Sequence, residues 1–380
     1  MDTSLAGTIP RVAQNVTRRW TDESERGRSA VEFAFCSAIL LWLLVDVLRR
    51  DAFATDFRYA FWPAGRHVLQ GVSPFSPVVD FFRLPFVYPA PAALLFAPFG
   101  ILPRPLAEAL FTAILAAALV LALRLCRVRD RRCYVVALLW APVFSALQTA
   151  NLTLLLVLGL AAIWRWRSRP LVMAVVAALL VSLKVFLWPV LVWLAVRRGA
   201  RAAAGSVLMA GVVTVGSWAV IGFAGFAEYP HLVRLINREE APRSYSLAAL
   251  GMRAGLGQSL ATALGLGIGL AVLALAAVLA RRDDGRRSFA LTIVAMVLCS
   301  PVVWLHYYAL MVIPIALLRP RLGPSWLLPL ILWPCPVMLF APTLWPLAPL
   351  SVFCLTIALA MRRQPAAADW APQHLASART

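Results

Sequence analysis

The sequence predicts an all-α polytopic membrane protein, and three observations carry this prediction. The chain of 380 residues is 62% hydrophobic and only 14% charged, whereas soluble domains carry about 25% charged residues. Apolar runs recur from Val31 to Met361, and a bilayer core needs about 20 apolar residues for each helical span. A helix satisfies its own backbone hydrogen bonds in lipid, so each run predicts a helix.

The apolar runs divide the chain into a predicted membrane domain, 30–362, between two polar ends. The arm 1–29 and the tail 363–380 are predicted to be cytoplasmic, the tail as a disordered segment. The predicted helices in between, about twelve of them, cover 31–48, 105–125, 134–148, 150–164, 171–183, 184–196, 203–223, 258–280, 287–300, 303–318, 324–341 and 344–361.

Arginine clusters set the predicted orientation. With the N-terminus inside, the short arginine-rich loops 126–132, 165–169, 197–201, 281–287 and 319–321 all fall on the cytoplasmic side, as the positive-inside rule expects. The net charge of +19 is therefore assigned to these loops, and no nucleic-acid partner is predicted. The same pattern predicts that both termini lie in the cytoplasm. The richness in arginine and alanine indicates a bacterial genome, and with it the inner membrane.

Two long segments then lie on the outer side, which we call the first outer segment (49–104) and the second outer segment (224–257). The stretch "YPAPAALLFAPFGILP" in the first is short and interrupted by prolines, which predicts a broken juxtamembrane helix. A full span at 86–102 is the alternative. It would place two arginine clusters outside, so it is disfavoured.

Lys184 is the one lysine of the chain and interrupts an apolar stretch, 171–196. A charged side chain at the bilayer centre costs on the order of 3 kcal/mol on insertion scales. A hairpin that brings Lys184 to the outer face avoids this cost. The same face receives further polar residues in the outer segments and at the outer ends of predicted helices, including Asp51, Asp80 and His306.

Each of these residues also has a plain structural explanation. Exposed acids are usually solvated, lysine side chains reach towards the interface, and aromatic residues gather in interfacial belts. The six cysteines show no CxxC pair and no metal-type spacing. The argument for a site therefore rests on the shared side of the polar residues and on their order.

In that order the residues resemble glycosyltransferase family 87 of the GT-C superfamily, whose members use polyprenyl-phosphate-mannose. The similar stretches are "DFRY", "VYPAPAALLFAPFGILP", "LQTANLT", "LKVFLWP", "YSLAAL" and "SPVVWLHYY". They cover roughly 30–320. The chain departs from the family pattern at Ala90, Leu147 and Ser244, in place of Pro, Gly and Asn.

The resemblance implies a GT-C-like helical bundle that moves a sugar, mannose in the family, from a polyprenyl-phosphate-sugar to a glycolipid or glycan hydroxyl on the outer face. Asp56 matches the acid that acts as general base. Neither a metal nor another cofactor is implied, and membrane lipid is the remaining partner. The other residues fall into two groups: donor-phosphate ligands Lys184, His306, Arg66 and Arg253, and sugar, acceptor or lipid contacts Tyr59, Tyr88, Gln148, Asn151, Ser246, Trp304 and Tyr307.

Two other classes remain open from the sequence. A transporter or flippase would fit the broken helices and the lone lysine. However, transporter sites lie near the bilayer midplane between repeats, and no internal repeat is found. A structural component of an envelope complex would not need an acid, a lysine and a histidine on one face.

Overall fold

The computed structural model describes residues 38–75, 86–282 and 284–333, together with residue 34 and six positions between 348 and 358. Within these ranges the chain is helical and forms no β-strand. The α-helices are α1 (38–49), α2 (Trp62–Leu69), α3 (Ala90–Gly100), α4 (Arg104–Leu125), α5 (Arg131–Leu139), α6 (Ala141–Gln148), α7 (Thr153–Arg165), α8 (Pro170–Leu183), α9 (Pro189–Arg198), α10 (Ala200–Val220), α11 (Tyr229–Glu240), α12 (Leu247–Arg253), α13 (Gln258–Arg281), α14 (Gly285–Leu298), α15 (Val312–Leu318) and α16 (Pro324–Leu327). A π-helix, Phe57–Phe61, precedes α2, and 3₁₀ turns cover Val185–Leu187, Ala241–Arg243, Leu305–Met311 and Leu328–Leu332.

Three of the described helices are long and apolar enough to cross a membrane: α4, α10 and α13. On α10, for example, Leu208 and Val220 expose about 70% of their surface. An exposed apolar face of this kind suits lipid rather than water. The sequence prediction of an all-helical membrane protein is confirmed at this level, whereas the count of about twelve spans is not.

One predicted span is a pair of short helices, and one apolar stretch divides at the residue where the sequence predicts two helices to meet. The run 134–148 divides into α5 and α6 at Trp140, whose extended backbone precedes Pro142 in the first turn of α6. The run 171–196 divides at Lys184, which is also extended. Proline has no backbone N–H and fits the first turn of a helix better than its interior. A proline therefore starts a new helix instead of extending the preceding helix, and these breaks follow from the sequence. Much of the runs 324–341 and 344–361, both ends of the chain and Asp80 lie outside the described residues.

The core is built around α14, which is buried from Ser288 to Leu298. It packs against α13, α15 and α9. A helix that is apolar on all sides is expected in such a position. The buried hydroxyl groups of this helix have partners, since Trp193 Nε1 donates to Ser288 Oγ at 3.0 Å and Thr292 donates to the Ser288 carbonyl at 2.8 Å.

The loops rich in arginine meet at one end of the molecule, which we call the arginine end. Arg198 donates to the Arg167 carbonyl, and Arg197 donates to the Ala280 carbonyl at 3.2 Å. Asp130 accepts from the backbone of Leu322 at 3.1 Å. Loops that are far apart in sequence are thereby joined.

The described part of the first outer segment carries the π-helix and two short α-helices, α2 and α3, where the sequence predicts a broken juxtamembrane helix. Gly65 of α2 and Gly100 of α3 lie where these two helices cross, and a Cβ atom on Gly65 would overlap the Phe96 carbonyl. Arg58 ties the segment to α4, because its Nε atom lies 2.9 Å from Glu108 Oε1 and its Nη1 atom lies 2.7 Å from Asp51 Oδ1. The part of the segment around Arg58 is thus fastened to the start of the long helix α4.

Candidate active site

A cavity of about 1280 Å³ lies at one end of the helical bundle. Several helices that reach it carry arginine at their other ends. Helix α7 begins two residues after Asn151 and ends at Arg165, and α8 runs from the residue after Arg169 to the residue before Lys184. Asn151 and Lys184 both line the cavity. The arginine end and the cavity therefore lie at opposite ends of the bundle.

Nine of the twelve site residues predicted from the sequence line this cavity, although they come from five separate segments. The structure brings together Asp56, Tyr59, Tyr88, Gln148, Asn151, Lys184, Trp304, His306 and Tyr307.

Asp56 is held by its backbone and by its carboxylate. The backbone amides of Asp56 and Phe57 both donate to the Thr149 carbonyl, at 3.0 and 3.2 Å. Asn151 Nδ2 donates to Asp56 Oδ2 at 2.7 Å. Asn151 is itself fixed, because its Oδ1 atom accepts from the hydroxyl of Thr153 at 2.7 Å. The position of the carboxylate is thus set by the turn between α6 and α7.

The backbone around this contact is strained. Ala54, two residues before Asp56, has φ 54°, and Ala150, beside Asn151, has φ 49°. Alanine rarely adopts this left-handed conformation. Gln148 stabilises it, since its carbonyl accepts from the Ala54 amide at 2.6 Å and its Nε2 atom donates to the Ala52 carbonyl at 3.2 Å. Strain of this kind is common at functional sites, where the surrounding structure maintains it.

A hydrogen-bonded chain joins the carboxylate to the lysine. Asn151 Nδ2 also donates to the Tyr88 hydroxyl at 3.1 Å, and Lys184 Nζ donates to the same hydroxyl at 2.9 Å. Burial raises the pKa of Asp56 above its ordinary value, while the bond from Asn151 and the charge of Lys184 act in the opposite direction. Asn151 and Lys184 therefore offset part of the effect of burial on the carboxylate of Asp56.

Aromatic rings surround Lys184, which is 8% exposed. Its Nζ atom lies 3.9 Å from the ring centroid of Tyr307, 4.5 Å from that of Tyr88 and 5.8 Å from that of Phe186. Phe186 and Tyr307 stack on each other at 4.9 Å. Rings that face a cation stabilise it where little water is present, so the lysine is kept in the cavity wall.

His306 lies beside this group and is 7% exposed. Its Nε2 atom is buried and has no hydrogen-bond partner among the described residues. A buried polar atom without a partner costs free energy, and a ligand in the cavity would remove that cost. Tyr59, which is 43% exposed, and Trp304 line the same cavity with fewer polar contacts.

Three predicted residues do not line the cavity. Arg66 is exposed and lies over the Trp62 ring at 4.9 Å, and Arg253 is exposed at the end of α12. Ser246 caps α12, because its Oγ atom accepts from the Ala249 amide at 3.0 Å. Topology predicts the side of the membrane on which a charged residue lies, but it does not predict which face of the helix carries that residue. For this reason both arginines were predicted as donor-phosphate ligands.

Helix α11 of the second outer segment was not predicted as part of the site. Tyr229, Val233 and Asn237 line the cavity at a spacing of four residues, and Arg234 lies beside them. Asn237 Oδ1 is buried and has no partner in the part of the chain that the structure describes. The spacing of four residues in "YPHLVRLINREE" is the signal that indicates such a face.

Two rival acids differ from Asp56. Asp51 does not line the cavity and pairs with Arg58, whose hydrogen bond and charge lower the pKa of Asp51. Glu108 is engaged with Arg58 and, at 3.5 Å, with Arg104. The described residues contain no group of three or more His, Cys, Asp or Glu side chains suited to a metal ion.

A sequence model of glycosyltransferase family 87 matches residues 86–301, more than half of the chain. The matched range contains Tyr88, Asn151 and Lys184, whereas Asp56 precedes it and His306 follows it. No curated protein and no solved structure matches the chain.

Proposed function

Because the chain belongs to glycosyltransferase family 87 and is therefore a membrane glycosyltransferase, we propose that it transfers mannose from a polyprenyl-phosphate-sugar to a hydroxyl of a lipid or glycan acceptor. Asp56 acts as the general base. The observation that carries the proposal is the hydrogen-bonded chain from Asp56 through Asn151 and Tyr88 to Lys184 in one large cavity.

The base is needed because an alcohol is a weak nucleophile at neutral pH. As the acceptor oxygen bonds to the anomeric carbon, its proton passes to Asp56, and such proton transfer contributes typically 10²–10⁴-fold to the rate. The bond from the anomeric carbon to the phosphate oxygen breaks in the same step. The electron pair leaves with the phosphate, so a single displacement inverts the configuration at that carbon.

The leaving phosphate gains negative charge, which a fixed cation stabilises. Lys184 supports this role, because its ammonium group has three protons and, among the described residues, donates one hydrogen bond, to Tyr88. His306 Nε2, buried and unpartnered among the described residues, lies near the same lysine. Both residues were predicted as phosphate ligands, and the proposal retains them while leaving out Arg66 and Arg253.

The rest of the cavity suits a substrate with a long apolar tail. Most of its lining is apolar or aromatic, including Leu43 and Val47 of α1 and Val233 of α11. A volume of about 1280 Å³ exceeds that of ordinary small-molecule pockets, which reach about 1000 Å³. We place the cavity on the outer face, because the arginine end at the far side of the bundle suits the cytoplasmic face.

The test is transfer of labelled mannose from a polyprenyl-phosphate-mannose donor in membranes that contain the protein. Wild type and Asp51→Asn should transfer label to lipid, whereas Asp56→Asn should lose transfer by at least about 10²-fold. Equal transfer by Asp56→Asn would move the base elsewhere. Uptake of substrate by proteoliposomes, in the absence of any transfer, would support a transporter instead.

A further inference from the structure

The hydroxyl of Tyr88 uses both of its acceptor positions within the protein. A phenol oxygen can accept two hydrogen bonds and donate one. Lys184 Nζ and Asn151 Nδ2 both donate to it, at 2.9 and 3.1 Å. An ammonium group and an amide nitrogen are donors only, so neither can receive the hydrogen of Tyr88. That hydrogen must be directed to a third group.

None of the described residues is this third group, because the Tyr88 hydroxyl accepts from Lys184 and Asn151 and donates to no described residue. The side chain lines the cavity. Its ring is fixed by aromatic contacts, with the Phe61 centroid at 5.0 Å and the Phe86 centroid at 5.8 Å. The ring cannot turn easily, so the hydrogen is available to a ligand.

The surroundings indicate the chemistry of that ligand. Burial raises the pKa of Tyr88 well above its ordinary value, so the phenol keeps its proton at neutral pH. Donors that bond to a hydroxyl oxygen polarise its O–H bond and strengthen it as a donor. Beside the ammonium group of Lys184, the matching acceptor is an anionic oxygen such as that of a phosphate.

We propose that the Tyr88 hydroxyl donates a hydrogen bond to a phosphate oxygen of the lipid-linked donor, next to Lys184, and is thus a catalytic residue. This inference rests on the proposed function. As the anomeric carbon–oxygen bond breaks and its electron pair moves onto the phosphate, Tyr88 and Lys184 stabilise the growing charge. Asp56 receives the acceptor proton, and Tyr88 keeps its own.

The arrangement also explains why Asn151 bonds to two side chains. Its amide nitrogen holds the carboxylate of Asp56 and the hydroxyl of Tyr88 at the same time. The base and the phosphate donor are thereby fixed relative to each other. Fixed distances between reacting groups are a main source of catalytic rate.

The experiment compares wild type with Tyr88→Phe, which removes the hydroxyl and keeps the ring beneath Lys184. Binding of farnesyl phosphate and of uncharged farnesol is measured without acceptor. We expect Tyr88→Phe to bind farnesyl phosphate about 10- to 100-fold more weakly, the range for one hydrogen bond to a charged group, and to bind farnesol unchanged. Tyr134→Phe is the matched control, because its lost hydroxyl bonds to the Val128 carbonyl near the arginine end.

Equal affinity of wild type and Tyr88→Phe for farnesyl phosphate would overturn the inference, as would an equal loss for farnesol. If Tyr88→Phe does not fold, 3-fluorotyrosine at position 88 replaces it. The more acidic phenol should then bind farnesyl phosphate more tightly, and unchanged affinity contradicts the proposal. Because these measurements need no transfer, they stand apart from the mannose assay that decides the proposed function.

Discussion

The amide nitrogen of Asn151 donates a 2.7 Å hydrogen bond to Oδ2 of Asp56, across 95 residues of sequence. This bond opposes the effect of burial, which raises the pKa of the carboxyl group. A general base must be deprotonated to act. Asn151 therefore favours the ionised carboxylate that the proposed role of Asp56 as base requires.

Replacing Asn151 should move the acid limb of the pH profile. In Asn151→Ala the carboxylate loses a donor, so the pKa of Asp56 rises further and kcat/KM begins to fall at a higher pH than in wild type. Asn151→Asp should shift the limb in the same direction, because a second carboxylate disfavours ionisation of the first. The profile is measured by mannose transfer across the pH range. An acid limb at or below the wild-type position would contradict this account of Asn151.

The stability of Asp56→Asn should be at least that of wild type. The pKa of Asp56 is higher in the folded protein than in the unfolded chain. The folded state thus binds more protons between these two pKa values, and stability decreases as pH rises through that window. Asparagine has no such cost. Thermal unfolding in detergent at neutral pH checks this, and a clearly lower Tm for Asp56→Asn would show that the charge stabilises the fold.

The sequence predicted nine residues that the structure brings together in one cavity, because topology requires little geometric detail. Once the arginine loops are placed on one side, Asp56, Lys184 and His306 must share the other. The break at Lys184 also followed from the cost of burying a lone charge. Neither argument could show that Tyr88 connects the lysine to Asn151, because hydrogen bonds between distant segments depend on side-chain geometry.

Span number could not be read from the sequence for a physical reason. An apolar run is typical of a helix in lipid and also of a helix buried in protein. Helix α14 is apolar and almost wholly buried, whereas α10 exposes Leu208 and Val220. Composition does not separate the two cases. The face of α11 that lines the cavity was missed because topology assigns the polar residues of this segment to a side of the membrane and not to a face of the helix.

Lys184→Met should weaken use of the donor but not of the acceptor. The change removes the ammonium group while a side chain of similar length stays between the rings of Tyr88 and Tyr307. We expect kcat/KM for the donor to fall about 10- to 100-fold, the range for a hydrogen bond to a charged group. The KM for the acceptor is the internal control. An unchanged kcat/KM for the donor would assign the lysine a structural role alone.

Arg58→Gln and Arg104→Gln should differ in stability although both arginines contact Glu108. Arg58 is 11% exposed at its side chain and lies 2.9 Å from the carboxylate, whereas Arg104 is 50% exposed and lies at 3.5 Å. Loss of the partner of a buried charge costs up to about 3–5 kcal/mol, and loss of an exposed pair costs ~0–1 kcal/mol. Thermal unfolding of both variants measures the difference. Equal Tm values would show that Glu108 does not depend on Arg58.

Gly65→Ala should disturb the site from a distance. A Cβ atom at position 65 would overlap the Phe96 carbonyl, which is backbone and cannot move aside as a side chain can. Helix α2 would then shift away from α3. The π-helix begins at the residue after Asp56 and leads without a break into α2, so the shift would reach Asp56. We expect a lower Tm and weaker mannose transfer. Gly205→Ala on α10 is the matched control. Its Cβ would meet nothing within 4 Å, and alanine stabilises a helix interior by roughly 0.5–1 kcal/mol over glycine. Wild-type Tm and transfer in Gly65→Ala would mean that the crossing of α2 and α3 does not position Asp56.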